Sequence, residues 1–304
     1  MTTTVPAIYA FPEFSGVAAA VADHVVAAQN AALSGNSKGS SSGSSTGGGS
    51  NTPTNSHSRT HSTNTSHSRN GGGDGSSGGR RFKIGLSGGS LIAVLNEGLL
   101  ARNDVLWDKW DIYFADERLV PFSDPESNYG LVKRHLLDLI PEDKPRPRVF
   151  HVDESLIDDA QEAADAYEKT LIRGFAAKDS VKLPMFDLLL LGCAPDGHTC
   201  SLFPHHPLLR ENLAWVAPIE DAPKAPARRI TLTLPVICHS HRVTFVVEGQ
   251  VKAPIIKTIM ERPEKGSPCS LVNEGAAGKV SWFVDDEALT GVFVTKKEYK
   301  MQVK

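Results

Sequence analysis

The stretch Phe186-Asp187-Leu188-Leu189-Leu190-Leu191-Gly192 decides how the rest of the chain reads. Four consecutive leucines leave no polar face, so the segment is a strand buried on both sides, at the centre of a sheet. The turn after it, Pro195-Asp196-Gly197-His198, ends that strand and presents a histidine at its carboxyl end. Outward from this centre, strands and helices alternate. Residues 82–86, 110–115, 148–152, 230–234, 242–247 and 280–284 read as further strands. Residues 90–102, 128–139, 156–177 and 250–261 read as helices. Ahead of them, 4–11 reads as a strand and 13–33 as a helix, a unit too small to fold alone. The order predicts an α/β, Rossmann-like fold, a mainly parallel sheet flanked by helices in a single domain spanning 1–304. Such sheets bind ligands beyond the carboxyl ends of their strands.

One segment does not fit. Residues 34–79 are almost entirely Ser, Gly, Asn, Thr and His, with nothing apolar to anchor a core, and are expected to be a disordered insertion in that domain. His57, His61 and His67 within it can be read as a metal tract, but a solvated loop is the plainer reading.

Composition excludes several classes. The 304 residues are 40% hydrophobic and 22% charged, as expected of a chain with a proper core. A net charge of −3 points to neither nucleic acid nor an anionic membrane as partner. The four cysteines, Cys193, Cys200, Cys238 and Cys269, form no CxxC pair and no secreted disulfide framework. With no leader-like start and no apolar run long enough for a bilayer, the default compartment is the cytoplasm.

Five segments carry chemistry, each beside a predicted strand. Leu86-Ser87-Gly88-Gly89-Ser90 leads into a helix; its glycines admit a close backbone approach and the helix start offers free N–H groups, together a phosphate cradle. It matches neither a Walker loop nor a dinucleotide fingerprint, and an ordinary turn with Ser90 as N-cap remains open. Asp116-Glu117-Arg118 places charges at the rim, where Arg118 can polarise a carbonyl or belong to a surface ion-pair cluster. His198 titrates near neutrality and can pass a proton to and from water; Asp196 can orient it or simply make an Asx turn. Arg229 opens a strand within reach of an anion. Lys252 sits in the first turn of a helix, an awkward place for a cation unless a phosphate is bound there. For both, a solvated side chain is the alternative.

Taken in order, these segments resemble the 6-phosphogluconolactonase family. The residues that carry the resemblance are Leu86 to Ser90, Asp116-Glu117-Arg118 with Val120-Pro121, Ser127-Asn128-Tyr129, Pro195 to Thr199 with Ser201 to Pro204, Arg229 to Pro235, and Lys252-Ala253. The resemblance implies hydrolysis of 6-phospho-D-glucono-1,5-lactone in the pentose phosphate pathway, with no metal and no organic cofactor. It implies a small sugar phosphate as partner, and the chain is expected as a monomer or small homo-oligomer. His198 would activate water, Asp196 would orient it and Arg118 would stabilise the developing oxyanion. Ser87, Gly88, Gly89, Arg229 and Lys252 would hold the phosphate. The chain departs from the family at Ala194, where glycine is usual, and at Cys200, where a small residue is usual; the added methyl is expected to shift the turn slightly. Cys193 and Cys200 flank His198 and invite an oxidation-sensitive reading, although two small buried hydrophobes are the plainer one. Two other functions compete. A glucosamine-6-phosphate deaminase or isomerase would continue after the histidine with Asn-Glu-Pro, unlike Thr199 to Pro204 here. A non-catalytic sugar-phosphate sensor would not need His198 and Asp196.

Overall fold

The computed structural model describes residues 5–35, 79–176 and 183–302. Most of the Ser/Gly-rich segment, including its three histidines, therefore lies outside the described residues. In chain order the regular elements are β1 (Ala7–Phe11), α1 (Phe14–Leu33), β2 (Phe82–Leu86), α2 (Leu91–Leu99), β3 (Trp110–Phe114) and β4 (Asp116–Arg118). They continue with α3 (Asn128–His135), β5 (Arg148–Phe150), α4 (Ala160–Phe175), β6 (Leu188–Leu191), β7 (Val216–Ile219) and β8 (Arg229–Leu232). Last come α5 (Leu234–His239), β9 (Val243–Val247), α6 (Ala253–Glu261), α7 (Pro268–Gly275) and β10 (Val280–Asp285).

Seven strands form one sheet in the order β1-β10-β9-β6-β2-β3-β5, every neighbouring pair parallel. The leucine strand β6 is its middle member and is wholly buried, as its lack of a polar face requires. After β2 the chain builds outward through β3 and β5. It then returns to β6 and builds the other way through β9 and β10. The direction of winding thus reverses between β2 and β6, which opens a crevice at their carboxyl ends.

The amino-terminal unit is integral to this sheet. β1 adds to β10 in register from Ala7↔Ser281 to Phe11↔Asp285. Helix α1 lies against α2, and Gly98 makes that approach possible, since any side chain there would strike the Ala18 carbonyl. Gln29, fully buried on α1, accepts from the Trp110 indole N–H (2.7 Å) and the Leu106 backbone N–H (2.8 Å) and donates to the Asp104 carbonyl.

A small antiparallel sheet, β4-β8-β7, stands beside the main one. It corrects two expectations. The strand read at 230–234 joins this second sheet, and its last two residues instead serve as N-cap and first turn of α5. The charged segment after β3, placed at the rim of the cleft, is itself the short strand β4, pairing Arg118 with Arg229. Helix ends also retreat. The segment 128–139 is α-helical only to His135 before a tight turn, and 250–252 is a 3-10 turn ahead of α6.

Gln29→Leu leaves the Trp110 indole and the Leu106 amide buried without an acceptor. It should cost about 2–4 kcal/mol, lowering Tm in a thermal melt by roughly 5–10 °C; an unchanged Tm would show that the amino-terminal helix is not tied to the sheet this way.

Candidate active site

The carboxyl ends of β2, β3, β6 and β9 converge on a cleft of about 150 Å³, lined by the Ser87–Ser90 turn, Arg118, Ala194, His198 and Lys252 among others. Of the expected residues, Ser87, Gly88, Gly89, Arg118, His198 and Lys252 line it, whereas Asp196 and Arg229 do not.

His198 sits in the turn after β6. Gly197 takes φ +83°, a left-handed conformation that L side chains resist, and a Cβ there would press on Ile255 and Ser267. The turn closes with Ala194 N–H to the His198 carbonyl and Gly197 N–H to the Ala194 carbonyl. Ala194 is not among the residues with positive φ, and it lines the cleft wall. Cys200 bears the larger conformational cost, with φ +52° directly after the catalytic turn. Its thiol is buried and pushed well above its usual pKa by that burial, as for a small hydrophobic side chain.

His198 Nδ1 lies 2.6 Å from Asp196 Oδ1. Burial alone would raise the Asp196 carboxyl. The Lys224 ammonium, 2.9 Å from Oδ2, and the contacts with His198 outweigh it and hold the carboxyl down to about 2. An ionised Asp196 fixes the proton of neutral His198 on Nδ1 and leaves Nε2, which has no protein partner among the described residues, as the basic nitrogen. His198 itself falls below 6.5, chiefly through burial, with Lys224 adding to the drop and Asp196 opposing it.

Lys224 belongs to no motif that points to chemistry, yet it is the end of a relay that also explains Arg229. The Arg229 guanidinium is 2% exposed and does not line the cleft. Its Nε donates to the Pro226 carbonyl (2.8 Å) and its Nη2 to the carbonyls of Lys224 (2.9 Å) and Ala225 (3.3 Å). Arg229 therefore clamps the loop carrying Lys224, which in turn holds Asp196. Its Nη1, also buried, has no hydrogen-bond partner among the described residues, so one donor group is left besides those given to the loop.

The phosphate turn is built by the same logic. Ser87 is committed twice: its N–H bonds the Leu190 carbonyl and its hydroxyl donates to Asp116 Oδ1 (3.0 Å). The backbone of Gly88, Gly89 and Ser90 faces the cleft freely, and its N–H groups have no partner among the described residues. Gly88 must lack a side chain because Asn128 Oδ1 occupies the space a Cβ would take. Ser90 stands at the N-cap position of α2 but makes no side-chain capping bond. Across the cleft, Lys252 Nζ donates to the Cys193 carbonyl (2.7 Å), and burial lowers its pKa. Arg118 reaches the cleft while paired with Glu126 (2.8 Å), and its buried Nε has no partner among the described residues.

Four further residues matter that sequence patterns do not assign a role. Asp116, 3% exposed, accepts from Ser87, from Ser201 (2.9 Å) and from the Asn128 amide (3.3 Å), joining the phosphate turn, the catalytic loop and α3. Glu117 accepts from the N–H groups of Asn128 and Tyr129 at the start of α3, and burial carries its pKa to about 7 against those donors. Glu248 lines the cleft with a buried Oε1 that has no hydrogen-bond partner among the described residues; burial, then Asp285 and Glu97, lift it to about 7. Asn128, in the Ser127-Asn128-Tyr129 segment, reaches back to Asp116 and Glu117 on β4. Among the described residues no three His, Cys, Asp or Glu side chains cluster closely enough to hold a metal ion.

Known proteins share this architecture. Residues 74–282 match the family described as glucosamine-6-phosphate isomerases/6-phosphogluconolactonase. The chain is 64% identical to 6-phosphogluconolactonase-like protein 1 of Saccharomyces cerevisiae, over 99% of this chain and 97% of that protein. It is 46% identical to human 6-phosphogluconolactonase, over 68% of this chain and 80% of that one. Among solved structures, 6-phosphogluconolactonase from Trypanosoma cruzi superposes with a TM-score of 0.69 over 96% of this chain and 99% of its own, at 24% identity, a likeness of fold. No described helix is long and apolar enough to cross a membrane. The reversal point of the sheet, its glycine turn and the His198 turn thus sit in a chain that belongs to the glucosamine-6-phosphate isomerase/6-phosphogluconolactonase family.

Proposed function

We propose that the protein hydrolyses 6-phospho-D-glucono-1,5-lactone to 6-phospho-D-gluconate in the oxidative pentose phosphate pathway, as a cytoplasmic single-domain enzyme. The observation that carries this reading is His198 held through Nδ1 by an ionised Asp196, across one cleft from a set of free backbone donors and Lys252. The 6-phosphate sits on the N–H groups of Gly88, Gly89 and Ser90, at the positive end of α2, with Lys252 opposite. That anchorage places the C1 carbonyl near His198.

His198 Nε2 takes a proton from water as its oxygen bonds to C1. Arg118 stabilises the oxyanion of the tetrahedral intermediate. The C1–O5 ring bond then breaks and the imidazolium returns the proton to O5. Arg229 and Lys224 act at a distance, by fixing Asp196.

The residues after the histidine disfavour a deaminase or isomerase reading. Ser201, in the Thr199 to Pro204 stretch, is used to bind Asp116, and no Asn-Glu-Pro is present there. A sensor would have no use for the Lys224–Asp196–His198 relay.

With purified protein and fresh lactone, acid release should exceed the spontaneous rate, and His198→Ala should lower kcat by roughly 10²–10⁴-fold. No excess rate, or an unimpaired variant, would refute the assignment. Lys252→Ala should act mainly on KM, raising it by about tenfold. Only neutral His198 is active, so the rate falls as pH drops through its pKa, which lies below 6.5. Lys224→Met removes a cation that depresses that pKa, so the acid limb of the pH–rate profile should move to higher pH; a limb that stays or moves down would contradict the relay.

A further inference from the structure

The amino-terminal edge of the main sheet, opposite the active site, carries two adjoining clefts of about 730 and 670 Å³. Their size suits a small-molecule ligand. The first is lined by Arg80, Arg81, Lys83, Arg148 and Arg173, with only Asp111 and Asp187 among the described residues to balance them. The second shares Arg80 and Asp187 and adds Arg242, Lys279 and Lys297 with no further carboxylate among the described residues. Eight cations against two carboxylates is a local excess in a chain whose net charge is −3.

The carboxylates are already taken. Asp111, 2% exposed, receives both Arg81 (2.6 Å) and Arg148, the latter through two bonds of 2.7 and 2.6 Å. Asp187 Oδ2 accepts the Lys83 backbone N–H, and Arg80 stands 3.7 Å from Oδ1. Exposed Arg173 has no ion-pair partner among the described residues. Arg81 also gives Nη1 and Nη2 to the carbonyls of Asp108 and Trp110, Lys83 its ammonium to the Gly174 carbonyl and Lys279 its ammonium to the Cys238 carbonyl. Arg80, Arg173, Arg242 and Lys297 are the cations left to meet phosphoryl oxygens among the described residues.

Two independent features point to a ligand. The Tyr113 hydroxyl lines the first cleft, fully buried and without a hydrogen-bond partner among the described residues. Gly174 leaves room for it, because a side chain there would collide with that oxygen. Beside the cations lies an apolar wall: Phe150, stacked on Tyr113 at 4.7 Å, and Met185, 39% exposed. A flat ring can lie there while its phosphates meet the arginines.

We propose that this edge is a second ligand site, binding a small molecule with linked phosphoryl groups, of the nucleoside di- or triphosphate class. The catalytic cleft lies at the other ends of the same strands, so the two sites are separate and the proposal does not depend on the lactonase reading.

Isothermal titration of the full chain with ATP, pyrophosphate and adenosine tests it. ATP and pyrophosphate should bind saturably and adenosine should not bind. ATP tighter than pyrophosphate assigns the apolar wall to a base; equal affinity assigns recognition to the phosphates alone, and either supports the site. Arg80→Gln with Arg173→Gln should weaken Kd by tenfold or more while leaving Tm and lactone hydrolysis unchanged. Lys252→Ala, in the catalytic cleft, should leave ATP binding intact. Absence of saturable binding by ATP and pyrophosphate would overturn the proposal, as would binding that survives the double variant or disappears with Lys252.

Discussion

The carboxylate of Asp116 is the interaction on which the site depends. It is buried at the start of β4, where the chain leaves the main sheet for the small one. Ser87 comes to it from the phosphate turn, Ser201 from the catalytic loop and Asn128 from α3. A buried carboxylate is costly unless its oxygens are satisfied. These three donors satisfy it only when the turns at the ends of β2 and β6 stand in one relative position. The desolvation that makes Asp116 costly thereby fixes the separation between the phosphate donors and His198. Gly88 belongs to the same constraint, since Asn128 fills the space its side chain would need.

A second set of contacts controls the proton. Glu248 lines the cleft and Asp196 stands behind His198, and their environments push them apart. Lys224 and His198 keep Asp196 ionised near a pKa of 2, whereas Glu248, half-buried and near Asp285 and Glu97, rises to about 7. The first carboxylate can orient an imidazole and the second can carry a proton near neutrality. Arg229 governs the difference from outside the cleft, by holding the carbonyls of the loop from which Lys224 reaches Asp196.

The features legible in the sequence are those encoded locally. Four leucines in a row announce the central strand, and a Pro-Asp-Gly-His turn after it announces the base with its partner two residues away. The glycine turn before α2 is readable for the same reason. Residues whose roles depend on distant partners are not. Asp116 meets Ser201 across 85 positions, and Lys252 meets the Cys193 carbonyl across 59. Arg229 looks like an anion ligand because a cation opening a strand beside the cleft is one when its donors are free; here Nε and Nη2 are committed to carbonyls three to five residues back, and Nη1 alone is without a partner among the described residues. The small sheet is hidden for a related reason. β4 is three charged residues and β7 contains Pro218, so neither shows the period-two pattern that marks a strand. Helices α5 and α7 are six and eight residues long and open on prolines, which read more readily as turns.

The direction of the substrate across the cleft is the central claim, and a crystal structure with 6-phosphogluconate bound tests it most directly. The account predicts the phosphate on the backbone of Gly88, Gly89 and Ser90 with Lys252 beside it, and the C1 carboxylate within hydrogen-bonding reach of His198 Nε2 and Arg118. A product bound in the opposite sense, or a phosphate held by Arg229 with its loop carbonyls released, would contradict it.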